Sequence, residues 1–365
     1  MRLHVFNPEH DMALAADRVR FTPPHAARQL RDDLDWLPVF WAAPGEAVLV
    51  GDSVLAKARM QRIQGRLRHI GVDLSPKAVF LTPDDLHKLV IGEVEPWGWD
   101  AALCSRLQHR GVAPDVLPDN RFLGAVRSLS HRREAASLLE QLQQPGLTVG
   151  KAVECRDMEA VEARVAEWGQ AVMKAPWSSS GRGVRFVCGG TLSDNQAGWA
   201  RNVIKAQGSI MTEPYYNKVY DFGMEYQSDG QGRIAYLGLS LFHTANGAYT
   251  GNLLATEAAK QTIVSRYIPL MLLEEMKRRV CRLLSCTVGV SYKGPFGLDM
   301  MVVRSEGGKG FLLHPCVEIN LRRTMGHLAI ALSPKDDDDL RGVMRIAYEN
   351  GRYRLSVNRL KTNFL

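Results

Sequence analysis

Two stretches of this sequence hold side chains whose types and spacing suit chemistry on an anion. In the first, Lys174 ends the apolar run Ala171-Val172-Met173, and Ala175-Pro176-Trp177-Ser178-Ser179-Ser180-Gly181-Arg182-Gly183 follows. A lysine at the end of an apolar strand is costly to bury unless an anion meets it. The serines and glycines beyond it let backbone N–H groups close onto phosphate oxygens without side-chain obstruction. The loop has neither the G-x-x-x-x-G-K-[ST] order of a P-loop nor the G-x-G-x-x-G of a dinucleotide fold, and a plain hairpin loop has the same composition.

The second stretch pairs Gly297-Leu298-Asp299-Met300-Met301-Val302 with Val317-Glu318-Ile319-Asn320-Leu321-Arg322-Arg323-Thr324. On a strand, Glu318 and Asn320 point to one face, because side chains alternate with a period of two. A hairpin through 305–310 would lay the Asp299 strand alongside. Two carboxylates and an amide oxygen are hard ligands that suit Mg²⁺ and leave positions for phosphate oxygens. A solvated polar strand face, with Asp299 capping a turn, is the other reading of the same residues.

Strands must hold these groups, and the sequence supplies strands alternating with helices. Leu3-His4-Val5-Phe6, Ala47-Val48-Leu49-Val50 and Ala78-Val79-Phe80-Leu81 are apolar runs that each stop at a polar turn. A helix over 53–67 follows the second, and Thr82 with Pro83 forms an N-cap and N1 pair after the third. Strand–turn–helix repeats of this kind predict a parallel sheet covered on both faces. Further along, the pattern predicts a helix over 130–142, strands at 171–175, 184–188, 209–213 and 234–240, and a long helix over 265–286. Strands at 298–303 and 311–313 come next, and the acidic run 336–339 reads as the first turn of a helix. The natural divisions are 1–125, 126–207 and 208–365.

The chain has 365 residues, 45% of them apolar and 23% charged, with 32 Gly and 17 Pro. These fractions exclude collagen-like, low-complexity and disordered classes. The net charge of +7 is spread thinly, with its densest run at Arg127-Ser128-Leu129-Ser130-His131-Arg132-Arg133. A duplex-binding surface usually clusters charge more strongly, and small anionic ligands such as nucleotides or carboxylates suit this balance at least as well. The six cysteines include no CxxC pair, which argues against a zinc site or a disulfide framework. The first residues lack a secretion-type apolar region, and runs such as Ile268-Pro269-Leu270-Met271-Leu272-Leu273 are too short to span a membrane. The expected setting is the cytoplasm, with no membrane and no nucleic acid as partner.

In type and chain order these motifs resemble the ATP-grasp superfamily over about residues 126–328. The sequence of features is Lys174 and its small-residue loop, the acidic strand end Thr212-Glu213-Pro214-Tyr215, then Asp299 and Glu318-Ile319-Asn320 with Arg322. The resemblance implies an N-terminal Rossmann-like parallel-sheet domain over 1–125 and a two-part α+β ATP-grasp fold. Its smaller part, 126–207, would carry the phosphate loop and its larger part, 208–365, the metal residues. It implies that Lys174 meets the phosphates and the adenine edge, under a flap formed by Ser178, Ser179, Ser180, Gly181 and Gly183. Glu213 and the Tyr215 backbone would lie beside the adenine, and Asp221 or Glu225 at the ribose. Asp299, Glu318 and Asn320 would hold two Mg²⁺ ions, with Mn²⁺ as a substitute, and Arg322 would steady the transferred phosphoryl group. The family's earlier phosphate lysine is missing; Arg132 and Arg133 are its candidates, since arginine keeps the charge and gains a bidentate fork.

The implied reaction joins a small carboxylate to an amine through an acyl phosphate, at the expense of ATP. Phosphoryl transfer without ligation, and nucleotide binding without turnover, are the alternatives. Asn7-Pro8-Glu9-His10-Asp11, at the edge where α/β sheets bind ligands, and the loop 243–252 are candidate substrate contacts. Their polar members Asn7, Glu9, His10 and Asn246, together with Arg323, are the residues expected there. Asn-Pro turn chemistry and helix capping by Asp11 would account for the first segment equally. Pro96-Trp97-Gly98-Trp99 reads as core packing.

Overall fold

The computed structural model describes residues 1–178, 183–245, 248–308, 310–337 and 341–360. The first part of the chain alternates strands and helices. These are β1 (Arg2–Val5), α1 (His10–Ala16), α2 (His25–Leu34), β2 (Ala47–Leu49), α3 (Ser53–Arg68), β3 (Val79–Leu81), β4 (Glu93–Pro96) and α4 (Ala101–Gln108). The four strands pair in parallel in the order β3-β2-β1-β4. Short acidic side chains start α3 and α4: Asp52 accepts the Leu55 N–H at 2.9 Å and Asp100 the Leu103 N–H at 2.8 Å. Thr82 also caps, in a box with Asp85, although the turn it opens is 3-10 rather than α.

Next come α5 (Asn120–Leu129) and α6 (Arg132–Leu142). The helix expected over 130–142 starts two residues later than its pattern predicts, because the His131 ring accepts the Arg133 N–H at 3.0 Å and caps it. The elements β5 (Val153–Cys155), α7 (Met158–Trp168), β6 (Ala171–Lys174), β7 (Val184–Val187), α8 (Asp194–Gln207) and β8 (Ile210–Pro214) follow. Their strands form an antiparallel sheet ordered β5-β8-β6-β7. The two helices bury Val161, Val165, Ala200 and Val203 against its Met173 and Ile210.

The remainder builds a seven-stranded antiparallel sheet. It contains β9 (Lys218–Asp229), β10 (Ile234–Ala245), β11 (Ala248–Leu254), α9 (Glu257–Val264), α10 (Leu270–Ser285) and α11 (Val288–Ser291). After them lie β12 (Lys293–Arg304), β13 (Phe311–Asn320), α12 (Met325–Ala331), β14 (Gly342–Glu349) and β15 (Arg352–Arg359). The strand order is β13-β12-β9-β10-β11-β14-β15. The long helix expected over 265–286 begins only at Leu270, after Pro269; residues 265–269 turn between it and the separate α9 capped by Thr256. Among the described residues the acidic run opens no helix: Asp336 lies in a bend, the chain enters β14 at Gly342, and Asp338 and Asp339 fall outside the described residues.

The large sheet sorts its side chains by face. Phe222, Met224 and Tyr226 of β9, Phe296, Leu298, Met300 and Val302 of β12, and Ile319 of β13 enter one apolar core with α10. The period of two therefore turns Asp221, Glu225, Asp299, Glu318 and Asn320 to the opposite face. The C-terminal hairpin belongs to a different core. Met344, Leu355 and Val357 join Leu328 and Leu332 of α12 against Phe6, Trp36, Ile63 and Trp97 from the first part of the chain.

That shared core predicts that Met344→Ala, which empties a fully buried position, lowers stability by about 2–5 kcal/mol in denaturant melts. A loss under ~0.5 kcal/mol would show that the hairpin does not help hold the N-terminal sheet.

Candidate active site

The polar face of the large sheet brings Asp299 opposite Glu318 as direct cross-strand partners on β12 and β13. Antiparallel pairing puts such side chains within a few ångströms of each other. Asn320 donates from Nδ2 to Asp299 Oδ2 at 3.1 Å, and its Oδ1 accepts from Arg322 Nη2 at 2.9 Å. Burial, then the Glu318 and Glu225 carboxylates, push Asp299 up to about 8. Burial also raises Glu318, against the pull of Arg132.

Cations close the cleft from the other side. Arg132, at the start of α6, sets Nη2 2.8 Å from Glu318 Oε1. The same guanidinium donates to Ala175 O at 3.1 Å and Ser178 Oγ at 3.3 Å, so it spans Glu318 and the root of the small-residue loop. Arg133 points elsewhere, to Glu134 and Glu154 at 3.6 Å each. Of the two candidate arginines, the structure brings only Arg132 to the cleft. Lys174, on β6, is buried with its Nζ 2.6 Å from Glu213 Oε2 on β8. Its charge also reaches Glu318 and favours that carboxylate's ionised form.

The loop after Lys174 is pinched at its base. Ala175 donates its N–H to Gly183 O at 2.8 Å, and a Cβ on Gly183 would sit 2.3 Å from Ser178 Cβ, so only glycine fits. Ser179, Ser180 and Gly181 lie outside the described residues, as does Asn246. At the strand end, the Tyr215 N–H is already given to Gln170 O at 2.9 Å, and the ring lies exposed beside Phe186. Asp221 and Glu225 share the polar face but differ in access. Asp221 is partly exposed, bonded to Lys218 at 2.5 Å and Thr244 at 2.9 Å. Glu225 is sealed beneath α12, with Oε2 3.0 Å from His327 Nδ1.

Arg322 makes a contact that the sequence does not reveal. Its Nε and Nη2 clasp the Asp11 carboxylate at 2.8–3.1 Å, across 311 residues of chain. Burial alone would raise Asp11, but Arg322 and His10 hold it below the usual carboxylate range. Burial would likewise lower Arg322, and Asp11 more than reverses this. The only sequence signal was an acidic residue in the first turn after β1; Asp11 bridges rather than caps.

The rest of that turn holds the N-terminal sheet together. Asn7 donates to Gly98 O at 2.7 Å and Asp100 Oδ2 at 3.0 Å, tying the ends of β1 and β4. Glu9 Oε1 accepts from both Arg31 and Arg106 at 2.7 Å. His10 is buried against Gly98, with Nδ1 3.6 Å from Asp100. Arg323 pairs with Glu95, and its guanidinium lies 4.5 Å from the Trp41 ring centroid. Asn7, Glu9 and Arg323 therefore spend their polar groups largely on protein partners. Trp97 packs with Phe6 at 5.0 Å, as core.

No group of three or more His, Cys, Asp or Glu side chains is placed to hold a metal among the described residues. The oxygen donors at the cleft are two carboxylates and one amide, and the amide oxygen is engaged by Arg322. Two crowded carboxylates of raised pKa still fit a hard divalent cation that keeps water and phosphate oxygens for its other positions.

No protein-family model matches the chain, and no curated protein matches its sequence. Solved structures do match. The biotin carboxylase domain of the Hydrogenobacter thermophilus 2-oxoglutarate carboxylase, determined with MgADP, ADP and bicarbonate, is 11% identical. It covers 94% of this chain and 74% of its own, with a TM-score of 0.50. The N5-carboxyaminoimidazole synthetase from Staphylococcus aureus, complexed with ADP, is 11% identical over 95% and 82% of the two chains, with a TM-score of 0.48. An Archaeoglobus fulgidus protein assigned to the ATP-grasp superfamily is 11% identical over 99% and 100%, with a TM-score of 0.45. At these identities the likeness concerns the fold.

The crowded acids predict a pH signature. Without divalent cation, Asp299 binds its proton more tightly folded than unfolded. The stability this contributes is complete below about pH 4 and lost as pH rises toward about 8, by no more than ~1.4 kcal/mol per pH unit. Relative to Asp299→Asn, the wild-type melting temperature should fall across that range, and MgCl₂ should shrink the difference. Parallel profiles would mean that the folded site does not hold Asp299 above its ordinary range.

Proposed function

We propose that this chain is a member of the ATP-grasp superfamily and an ATP-dependent ligase that activates a small carboxylate for capture by an amine. The observation carrying this reading is the cross-strand pair Asp299 and Glu318, faced by Arg132 and Lys174 in one cleft. Alternating charges of that kind suit a polyphosphate bound with divalent cations, better than they suit a neutral ligand.

Asp299 and Glu318, with Asn320 once its oxygen turns from Arg322, would hold Mg²⁺. When bound, that ion supplies charge neutralisation on the phosphate oxygens. Lys174 and Arg132 add fixed positive charge on the same oxygens. Asp221, the more accessible of the two ribose candidates, accepts from the ribose hydroxyls. The substrate carboxylate oxygen bonds to the γ-phosphorus while the bond to the ADP oxygen breaks, giving an acyl phosphate. The amine then attacks the acyl carbon and inorganic phosphate leaves. Arg322 bears on the transferred phosphoryl group, and Asp11 acts as a positioning residue by holding that guanidinium in place. Such transfer rests on positioning and electrostatics and needs no nucleophilic side chain.

The test is ADP release screened over amino acids, dipeptides and other small carboxylic acids, with and without an amine. Release that requires both an acid and an amine is expected. A phosphorylated product formed without amine would make the protein a kinase, and tight ATP binding with no turnover would make it a binder. Glu318→Gln is expected to lower turnover about 10²–10³-fold with a modest loss of nucleotide affinity; unchanged turnover would remove Glu318 from the mechanism.

A further inference from the structure

A second concentration of positive charge lies away from this cleft. Arg59, Arg62 and Arg66 recur at spacings of three and four on α3, and so share one face of that helix. Arg352 and Arg354, two apart on the edge strand β15, share a face of that strand. Helix α3 packs against β15, and between them and the end of α2 opens a cavity of about 160 Å³. Arg59, Arg62, Arg352 and Arg354 line it, over a floor that includes Trp36 and Leu355.

Only one acid, Asp33, lines the cavity, and its oxygens are engaged. Oδ2 accepts the Tyr353 N–H of the edge strand at 2.8 Å, and Oδ1 faces Arg59 at 3.4 Å. Arg62, Arg352 and Arg354 have no ion-pair partner among the described residues. Burial, then Arg354, Arg66 and Arg59, push the Arg62 guanidinium below its ordinary value, as expected of like charges crowded together. Guanidinium forks match the oxygens of a tetrahedral anion, and a single water needs only about 10–15 Å³ of such space.

We propose that this arginine-lined cavity between α3 and β15 is a binding site for a small phosphate-class anion, separate from the nucleotide cleft. The residues lining it include none of those assigned to phosphoryl transfer, and the inference stands whether or not the chain is a ligase. Because the two walls come from opposite ends of the sequence, a bound anion ties the C-terminal hairpin to the N-terminal sheet and stabilises the folded chain by mass action.

Thermal melts and calorimetric titrations with inorganic pyrophosphate, at ionic strength held constant with NaCl, test this. The wild-type melting temperature should rise with pyrophosphate. The Arg62→Ala/Arg354→Ala double variant should lose that rise and bind at least tenfold more weakly. Its melting temperature without ligand should not fall, since the substitutions remove repulsion, and its ATP turnover should match wild type. Lys174→Ala should keep the pyrophosphate response; loss there with retention in the double variant would place the anion in the nucleotide cleft and overturn the proposal. An equal response in the double variant, or to sulfate and NaCl alike, would reduce the effect to general screening and overturn it too. Glucose 6-phosphate as a second probe separates a phosphomonoester site from one for free phosphates: binding by either class, lost in the double variant, supports the site.

Discussion

The cleft depends on the crowding of two carboxylates across one antiparallel strand pair. Asp299 and Glu318 face each other in a partly buried site, where both carboxylates are held above their ordinary range. Left alone, such a pair would cost several kcal/mol in ionised form. Positive charge from elsewhere in the chain offsets this. Arg132 reaches in from a helix, Arg322 from the strand end through Asn320, and Lys174 from a separate sheet. Groups from separate sheets thus converge on one electrostatic problem, the crowding of two carboxylates.

The contacts suggest how the cleft is kept in shape. Arg132 bonds at once to the Glu318 carboxylate, to Ala175 O beside Lys174 and to Ser178 at the root of the loop. A single planar guanidinium therefore fixes the small sheet against the large one, a task that needs the spread of its fork rather than the compact ammonium of a lysine. Asp11 performs a similar role from the N-terminal sheet by clasping Arg322. The turn from Asn7 to Asp11 is then a brace: Asn7 and Glu9 hold the N-terminal sheet, and Asp11 holds the cleft.

Much of the site was legible in the sequence because strands impose a period of two. Glu318 and Asn320 had to share a face, Asp299 lay one hairpin away, and apolar residues between them marked the buried side. Lys174 was legible as a charge at the end of an apolar run. The tip of the small-residue loop lies outside the described residues. Helix limits were less legible, since His131 and Pro269 set starts that apolar periodicity does not see. The acidic run misled, because the macrodipole argument weighs only charge, while the alternation of Met344 and Ile346 makes the following segment a strand.

By itself the sequence determined the alternation of strands and helices, the polar face of the large sheet and the identity of the acids on it, because these follow from local periodicity. Only the tertiary structure decided which of Arg132 and Arg133 enters the cleft, that Asp221 is open while Glu225 is sealed, and that Asp11 grips Arg322. It alone gathered the arginines of α3 and β15 around one cavity. Contacts between residues hundreds of positions apart leave no local pattern; they exist because burying the apolar faces brings those segments together, and the polar groups at the seams must then find one another.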